Sequence, residues 1–186
     1  MPAAIRLPHE HEAARRPPLS QRQPKDRSMP DQAPPTAAPD PRHEPSPGDV
    51  RMLFVYGTLR RQSAHRMARY LAENARFVGE GVARGTLVNL GSYPGLALPG
   101  QTAVVGDVYE FPEDSAPRHI AALDAYEGCG TNDPRPHEYR RELIAVRIAD
   151  GSETTVWGYL MNDRPDRFEI IPGGDYLAWV LTRATR

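Results

Sequence analysis

From Met52 to Tyr56 every residue is apolar, and the run stops at Gly57. A short apolar run closed by glycine predicts a strand buried on both faces. Ser63 then stands where it would cap a helix reaching about Ala72, with Met67, Tyr70 and Leu71 on its inner face. Phe77–Leu90 mixes glycines with β-formers, which predicts bent or bulged strands. Ser92–Gly95 reads as a turn. Ala103–Phe111 reads as another strand, with Val104 and Val108 on one face and Val105 and Tyr109 on the other.

The clearest local signal is Asp150-Gly151, which predicts a two-residue hairpin turn. Ile144, Val146 and Ile148 alternate before it. Thr155, Trp157, Tyr159 and Met161 alternate with Val156, Gly158 and Leu160 after it. Asp175 is placed to cap a last short helix carrying Leu177, Trp179 and Val180. Several strands, short helices and a hairpin predict an α+β domain, a mixed, barrel-like sheet. The βα alternation of a doubly wound sheet is absent.

Glu113–Glu127 has the period of a helix. Asp114 or Ser115 can cap it, and Gly128 follows its end. Ala116, Ile120 and Leu123 define its apolar stripe, and at 100° per residue Glu127 falls near the middle of that stripe. Two readings follow from the pattern. Either the helix frays at Tyr126 and Glu127 points to water, or a carboxylate is carried inward. An inward carboxylate has its pKa raised by desolvation and by the negative end of the helix dipole, which suits general acid–base work near neutral pH. The junction after Tyr56 is open in the same way. Gly57 either simply ends a strand, or leaves free N–H groups at Gly57, Thr58 and Leu59 to receive an anion, with Arg60 adding charge at the rim. Tyr56, Tyr93 and Tyr139 are candidates for pocket walls or for core.

Composition divides the chain in two. Residues 1–49 hold 12 of the 20 prolines and almost no aromatic or β-branched residues. Such a segment buries too little apolar surface to offset its ordering entropy, so residues 1–49 are expected to form a disordered tail and residues 50–186 the folded domain. Met29 is a second candidate start within that tail. A net charge of -1 argues against a nucleic-acid binder or a membrane-surface binder. No apolar run approaches the roughly 20 residues of a membrane span, and no secretory leader is apparent. Cys129 is the only cysteine, which excludes an internal disulfide and a CxxC metal site and makes a reducing cytoplasm the expected setting. Six scattered histidines, half of them before residue 50, give no metal-ligand spacing.

Taken together and in order, these segments resemble the gamma-glutamylcyclotransferase superfamily. Tyr56-Gly-Thr-Leu-Arg60 is similar to its substrate loop, and Leu123-Asp-Ala-Tyr-Glu127-Gly128 to the segment that holds its catalytic glutamate. Tyr93-Pro-Gly-Leu96, Gly106-Asp-Val-Tyr109, Tyr139-Arg-Arg-Glu142 and Ile171-Pro-Gly-Gly-Asp175 occur in the family's order. The resemblance covers roughly residues 52–180. The Tyr-Gly-Thr-Leu loop is similar to the gamma-glutamylamine, AIG2-like branch rather than to the glutathione-related animal branch. It implies a small mixed β-barrel with flanking short helices, no metal and no cofactor. It also implies a small gamma-glutamyl substrate whose α-amine attacks its own γ-carbonyl, with Glu127 as base and then acid, releasing 5-oxoproline. Backbone N–H groups around Gly57–Leu59 would hold the substrate, with Tyr56, Arg60, Tyr93 and Tyr139 around it. A non-catalytic binding module of this fold and a pathway-specific deprotecting enzyme are the alternatives. Two parts lie outside the pattern: the proline-rich segment, and the polar stretch Cys129–Glu138, read as a rim loop.

Overall fold

The computed structural model describes residues 50–184; the expected tail lies outside them. The apolar run forms β1 (Met52–Val55). Helix α1 (Arg66–Asn74) leads to two long strands, β2 (Arg76–Asn89) and β3 (Pro94–Glu110). Helix α2 (Ala116–Tyr126), β4 (Tyr139–Ile148) and β5 (Glu153–Met161) follow. A two-residue β6 (Glu169–Ile170) and α3 (Tyr176–Ala184) end the domain.

The strands run in the order β3-β1-β5-β4-β2, and β2 pairs back onto β3, so five strands close a barrel; β6 extends β2. All ladders are antiparallel except β1 with β5, where Leu53 faces Trp157. This is the mixed barrel with flanking short helices that the family resemblance implied, within the α+β class of the residue pattern. Among the described residues no helix is long and apolar enough to cross a membrane.

Alternation along each strand sorts the core into two layers. Phe54, Val104, Val108, Ile144, Val146, Val156 and Leu160 pack together within the barrel. Leu53, Val55, Tyr109, Trp157 and Tyr159 face the helices and meet Leu71 of α1 and Ile120 and Leu123 of α2. Val156–Met161 is buried at every position because β5 is covered on both sides. Each such side chain contributes about 1.5–3 kcal/mol of burial.

Several local expectations change. Helix α1 begins at Arg66, capped by His65, whose Nδ1 accepts the Met67 N–H at 3.2 Å. Ser63 stands two residues before that cap and accepts from the His65 N–H. Ser115 stands at the N-cap of α2, but its hydroxyl donates to the Pro112 carbonyl instead of receiving a helix N–H. The stretch expected as bent strands is one strand, β2, which ends at Asn89 and has register shifts at Phe77/Gly79 and Gly85/Thr86. Pro94 and Gly95 already belong to β3, so the expected turn shortens to its first residues. The hairpin loop has three residues: the Ile148 N–H bonds the Ser152 carbonyl, and Gly151 sits at φ 91°. A turn followed by a left-handed residue makes the bulged alternative to the two-residue form. Asp175 does cap α3, accepting the Ala178 N–H at 3.2 Å.

Candidate active site

One end of the barrel opens into a cleft of about 230 Å³. Its walls come from four places in the chain: Tyr56–Leu59 after β1, Tyr93 and Pro94 at the start of β3, Tyr126 and Glu127 at the end of α2, and Glu138 and Tyr139 at the start of β4. The side chain of Tyr159 from β5 completes it.

Glu127 is the C-cap of α2. Its backbone leaves helical geometry (φ -79°, ψ 1°) while its N–H still bonds the Leu123 carbonyl at 2.8 Å. Gly128 follows at φ 66°. The helix therefore ends at the position that separates the two readings of the sequence. The cap residue Glu127 is half-buried in the cleft, with no side-chain hydrogen bond among the described residues. Desolvation first, and the Glu138 carboxylate second, push the Glu127 carboxyl up to about 7. The second cause is a neighbouring charge that the sequence did not reveal; the expected helix dipole is not among the causes.

Three residues before Glu127, Asp124 fixes the helix end to the sheet. Its carboxylate accepts both arms of the Arg141 guanidinium, at 2.8 and 3.2 Å, and the Tyr159 hydroxyl at 2.8 Å. Arg141 also lies over the Trp157 ring, 4.1 Å from its centre. A forked pair held by a hydroxyl and a ring restricts the rotation of α2 about its axis, and so the direction of Glu127.

Opposite stands the loop after β1. Gly57–Arg60 makes a turn, with the Arg60 N–H bonded to the Gly57 carbonyl at 3.1 Å. The amides of Gly57, Thr58 and Leu59 make no backbone hydrogen bond among the described residues and belong to the cleft wall. Unpaired amides at a strand end suit a carboxylate or an oxyanion.

The tyrosines divide. Tyr56 is buried and its hydroxyl is spent within the protein: it donates to the Tyr159 carbonyl at 2.7 Å and accepts from the Leu96 N–H. Tyr139 is likewise buried and donates to the Pro94 carbonyl at 2.9 Å. Burial raises both phenols far above the usual value, so they give the cleft apolar, neutral walls. Tyr93 is 39% exposed at the mouth and donates to the Glu138 carboxylate at 3.1 Å.

Arg60 is not brought into the cleft. It is 3% exposed and turns into a buried ion-pair group, with Nε 3.4 Å from Asp107 and Nη1 2.9 Å from Asp175. Asp107 is wholly buried and also accepts the Arg61 N–H at 2.8 Å. The expected rim charge is a structural link between the β1 loop, β3 and α3, because the buried carboxylate of Asp107 needs a cation more than the open cleft does. Cys129 is half-buried, and burial pushes its thiol up to about 11, so it stays protonated at neutral pH. Among the described residues no cluster of three His, Cys, Asp or Glu side chains is placed to hold a metal.

Sequence reasoning missed Tyr126, Glu138 and the Asp124–Arg141–Tyr159 group. Glu138 could have been reached: it ends the polar stretch after Glu127 and directly precedes the Tyr139 motif, which points to the same mouth.

The family model for gamma-glutamyl cyclotransferase, AIG2-like, matches residues 53–178. No curated protein matches the chain. Among solved structures, YkqA from Bacillus subtilis is 22% identical with a TM-score of 0.55; the match covers 74% of this chain, which spans only 43% of YkqA. PH0828 from Pyrococcus horikoshii is 21% identical at a TM-score of 0.50, covering 73% of this chain and 97% of that one. An AIG2-like protein from Mus musculus is 22% identical at 0.52, covering 68% and 88%. These three likenesses concern the fold. With the family match over most of the described barrel, they lead to one conclusion: the chain belongs to the AIG2-like gamma-glutamyl cyclotransferase family.

Proposed function

We propose that this protein cyclises small gamma-glutamyl amines or amino acids, releasing 5-oxoproline and the free amine. The observation that carries this is the half-buried Glu127, raised to about 7 and without a side-chain partner, in one cleft with the unpaired amides of Gly57–Leu59.

A gamma-glutamyl compound brings its own nucleophile, but the α-amine is an ammonium at neutral pH. Glu127, ionised in about half of the molecules near its pKa, takes one proton. The amine nitrogen then bonds to the γ-carbonyl carbon, and the carbonyl oxygen takes the electron pair as an oxyanion. Collapse breaks the bond to the leaving nitrogen, to which Glu127 returns the proton; the freed Glu127 carboxylate then takes the second proton of the ring nitrogen and passes it to the released amine, which leaves as an ammonium. Atoms balance without water, so no oxygen enters from solvent. The loop amides hold the substrate carboxylate or the oxyanion, worth about 10²–10³ in rate where such donors have been removed in other enzymes. The buried Tyr56 and Tyr139 shape the cavity for a folded glutamyl chain, and orientation supplies a further part of the barrier reduction.

The test is release of 5-oxoproline from gamma-glutamyl amines, gamma-glutamyl amino acids and glutathione, with Glu127→Gln beside the unaltered protein. The expected result is turnover of some of these and a loss of at least ~100-fold in the variant. Equal rates in both would remove Glu127 from the reaction. No turnover of any would favour a binding module of the same fold.

A further inference from the structure

Glu138 is the second carboxylate of the cleft, and the reaction above gives it no task. It is exposed at the mouth, and both its oxygens lie within reach of the Tyr93 hydroxyl, at 3.1 and 3.3 Å. It has no arginine or lysine partner among the described residues. The nearby Arg140 pairs with Glu142, and Arg141 with Asp124. The cleft wall contains no Arg or Lys at all among the described residues, only Glu127 and Glu138 as potential anions. Glu138 also belongs to the wall of an adjoining groove of about 400 Å³, whose sides include the apolar Leu90, Met161 and Phe168. It stands where the cleft meets the groove.

We infer that Glu138, oriented by Tyr93, selects the leaving group: neutral and cationic amines pass it, and amines that carry a carboxylate are disfavoured. This rests on the proposed cyclisation. The glutamyl half has the loop amides for its carboxylate, so the leaving half is what remains to lie toward Glu138 and the groove. A second carboxylate brought there meets an unneutralised like charge. A terminal ammonium at the same place neutralises it. At a partly solvated mouth such an interaction changes kcat/KM by about 5–10-fold. Glu138 also affects Glu127, whose carboxyl it helps to raise. The other groups around Glu138 are Tyr93 and Tyr139, both neutral, His137, whose Nε2 is 3.2 Å from the Asp133 carbonyl, and, across the groove, Asp163, which is paired with Arg167 at 3.0 Å.

The experiment uses three gamma-glutamyl amides of matched length, whose leaving amines end in a methyl, an ammonium or a carboxylate. kcat/KM is measured for the full chain and for Glu138→Gln, which still accepts the Tyr93 hydrogen bond. Binding of the same amides is measured by calorimetry in Glu127→Gln, with and without Glu138→Gln. The unaltered protein is expected to disfavour the carboxylate compound about 5–10-fold, and Glu138→Gln to erase that difference by gaining on the carboxylate compound. The acidic limb of its pH profile should also move down. An unchanged order in Glu138→Gln, with turnover intact, overturns this inference alone. Charge-ordered binding without any 5-oxoproline overturns the cyclisation and keeps the selection. Neither turnover nor charge-ordered binding overturns both.

Discussion

The ring of Pro94 occupies the space beside Gly57 so closely that a β-carbon on the glycine would stand 2.6 Å from Pro94 Cγ. The loop after β1 and the start of β3 thus approach as bare backbone against a proline ring, and both are walls of the cleft. Gly57→Ala must push one from the other. The expected cost is about 1–3 kcal/mol of stability, the range for overpacking. Turnover should fall further, by about 10–100-fold, because a misplaced positioning group costs rate steeply. Thermal melting beside kcat/KM checks this. A variant that loses stability but keeps kcat/KM would detach the loop from the reaction.

The raised carboxyl of Glu127 predicts a rate that depends on pH. The base form is lost as pH falls through about 7, so kcat/KM should drop about tenfold per unit below that point. A profile flat from pH 5 to 8 would mean that the group titrates elsewhere.

The same shift predicts stability with the opposite sense from an ordinary ion-paired acid. The folded carboxyl lies above its unfolded value of 4.5, at about 7. Below the lower value the carboxyl is protonated in both states, and the shift has no effect. Between the two values the unfolded state ionises first and folding is progressively disfavoured; above the higher value the penalty is complete. Glu127→Gln should therefore match the unaltered protein in Tm below pH 4.5 and exceed it at pH 8. The gain is on the order of 1–3 kcal/mol once the half-exposure of the side chain is allowed for.

Arg60 should matter for folding and not for substrate. Arg60→Ala leaves Asp107 buried without its guanidinium, which costs about 3–5 kcal/mol. In the fraction that stays folded at low temperature, KM should be unchanged. A rise in KM without loss of Tm would return Arg60 to the substrate.

If the reaction is a cyclisation, 5-oxoproline formed in heavy-oxygen water should carry no label. Labelled glutamate as the product would identify hydrolysis instead, with water in place of the α-amine.

What the sequence reveals here is what short range decides. β1, the Asp150-Gly151 hairpin, α2 and the placement of Glu127 at its end follow from periodicity and from residues that start and stop elements. The direction of Arg60 does not, because its partners lie 47 and 115 residues away, and only barrel closure puts them beside the loop. The place of Glu138 near the mouth is within reach of the sequence, but its effect on Glu127 is not, because it acts across the cleft from one wall to another. The cap of α1 depends on a more local detail. Ser63 is the better capping residue by type, but its hydroxyl accepts the His65 N–H before the helix begins, and His65 takes the cap position.

The ladder between β1 and β5 joins Leu53 to Trp157 across about three-quarters of the folded chain, whereas β2–β3 and β4–β5 are hairpins between neighbours. Contacts of such sequence separation form late, since the intervening chain must be ordered before they repay its entropy. The loop that carries Gly57 hangs from β1. Recovery of activity on refolding should therefore follow the slowest step, after most of the sheet signal has returned. A chain stalled with both hairpins formed would look largely folded by its circular dichroism and still lack a working site.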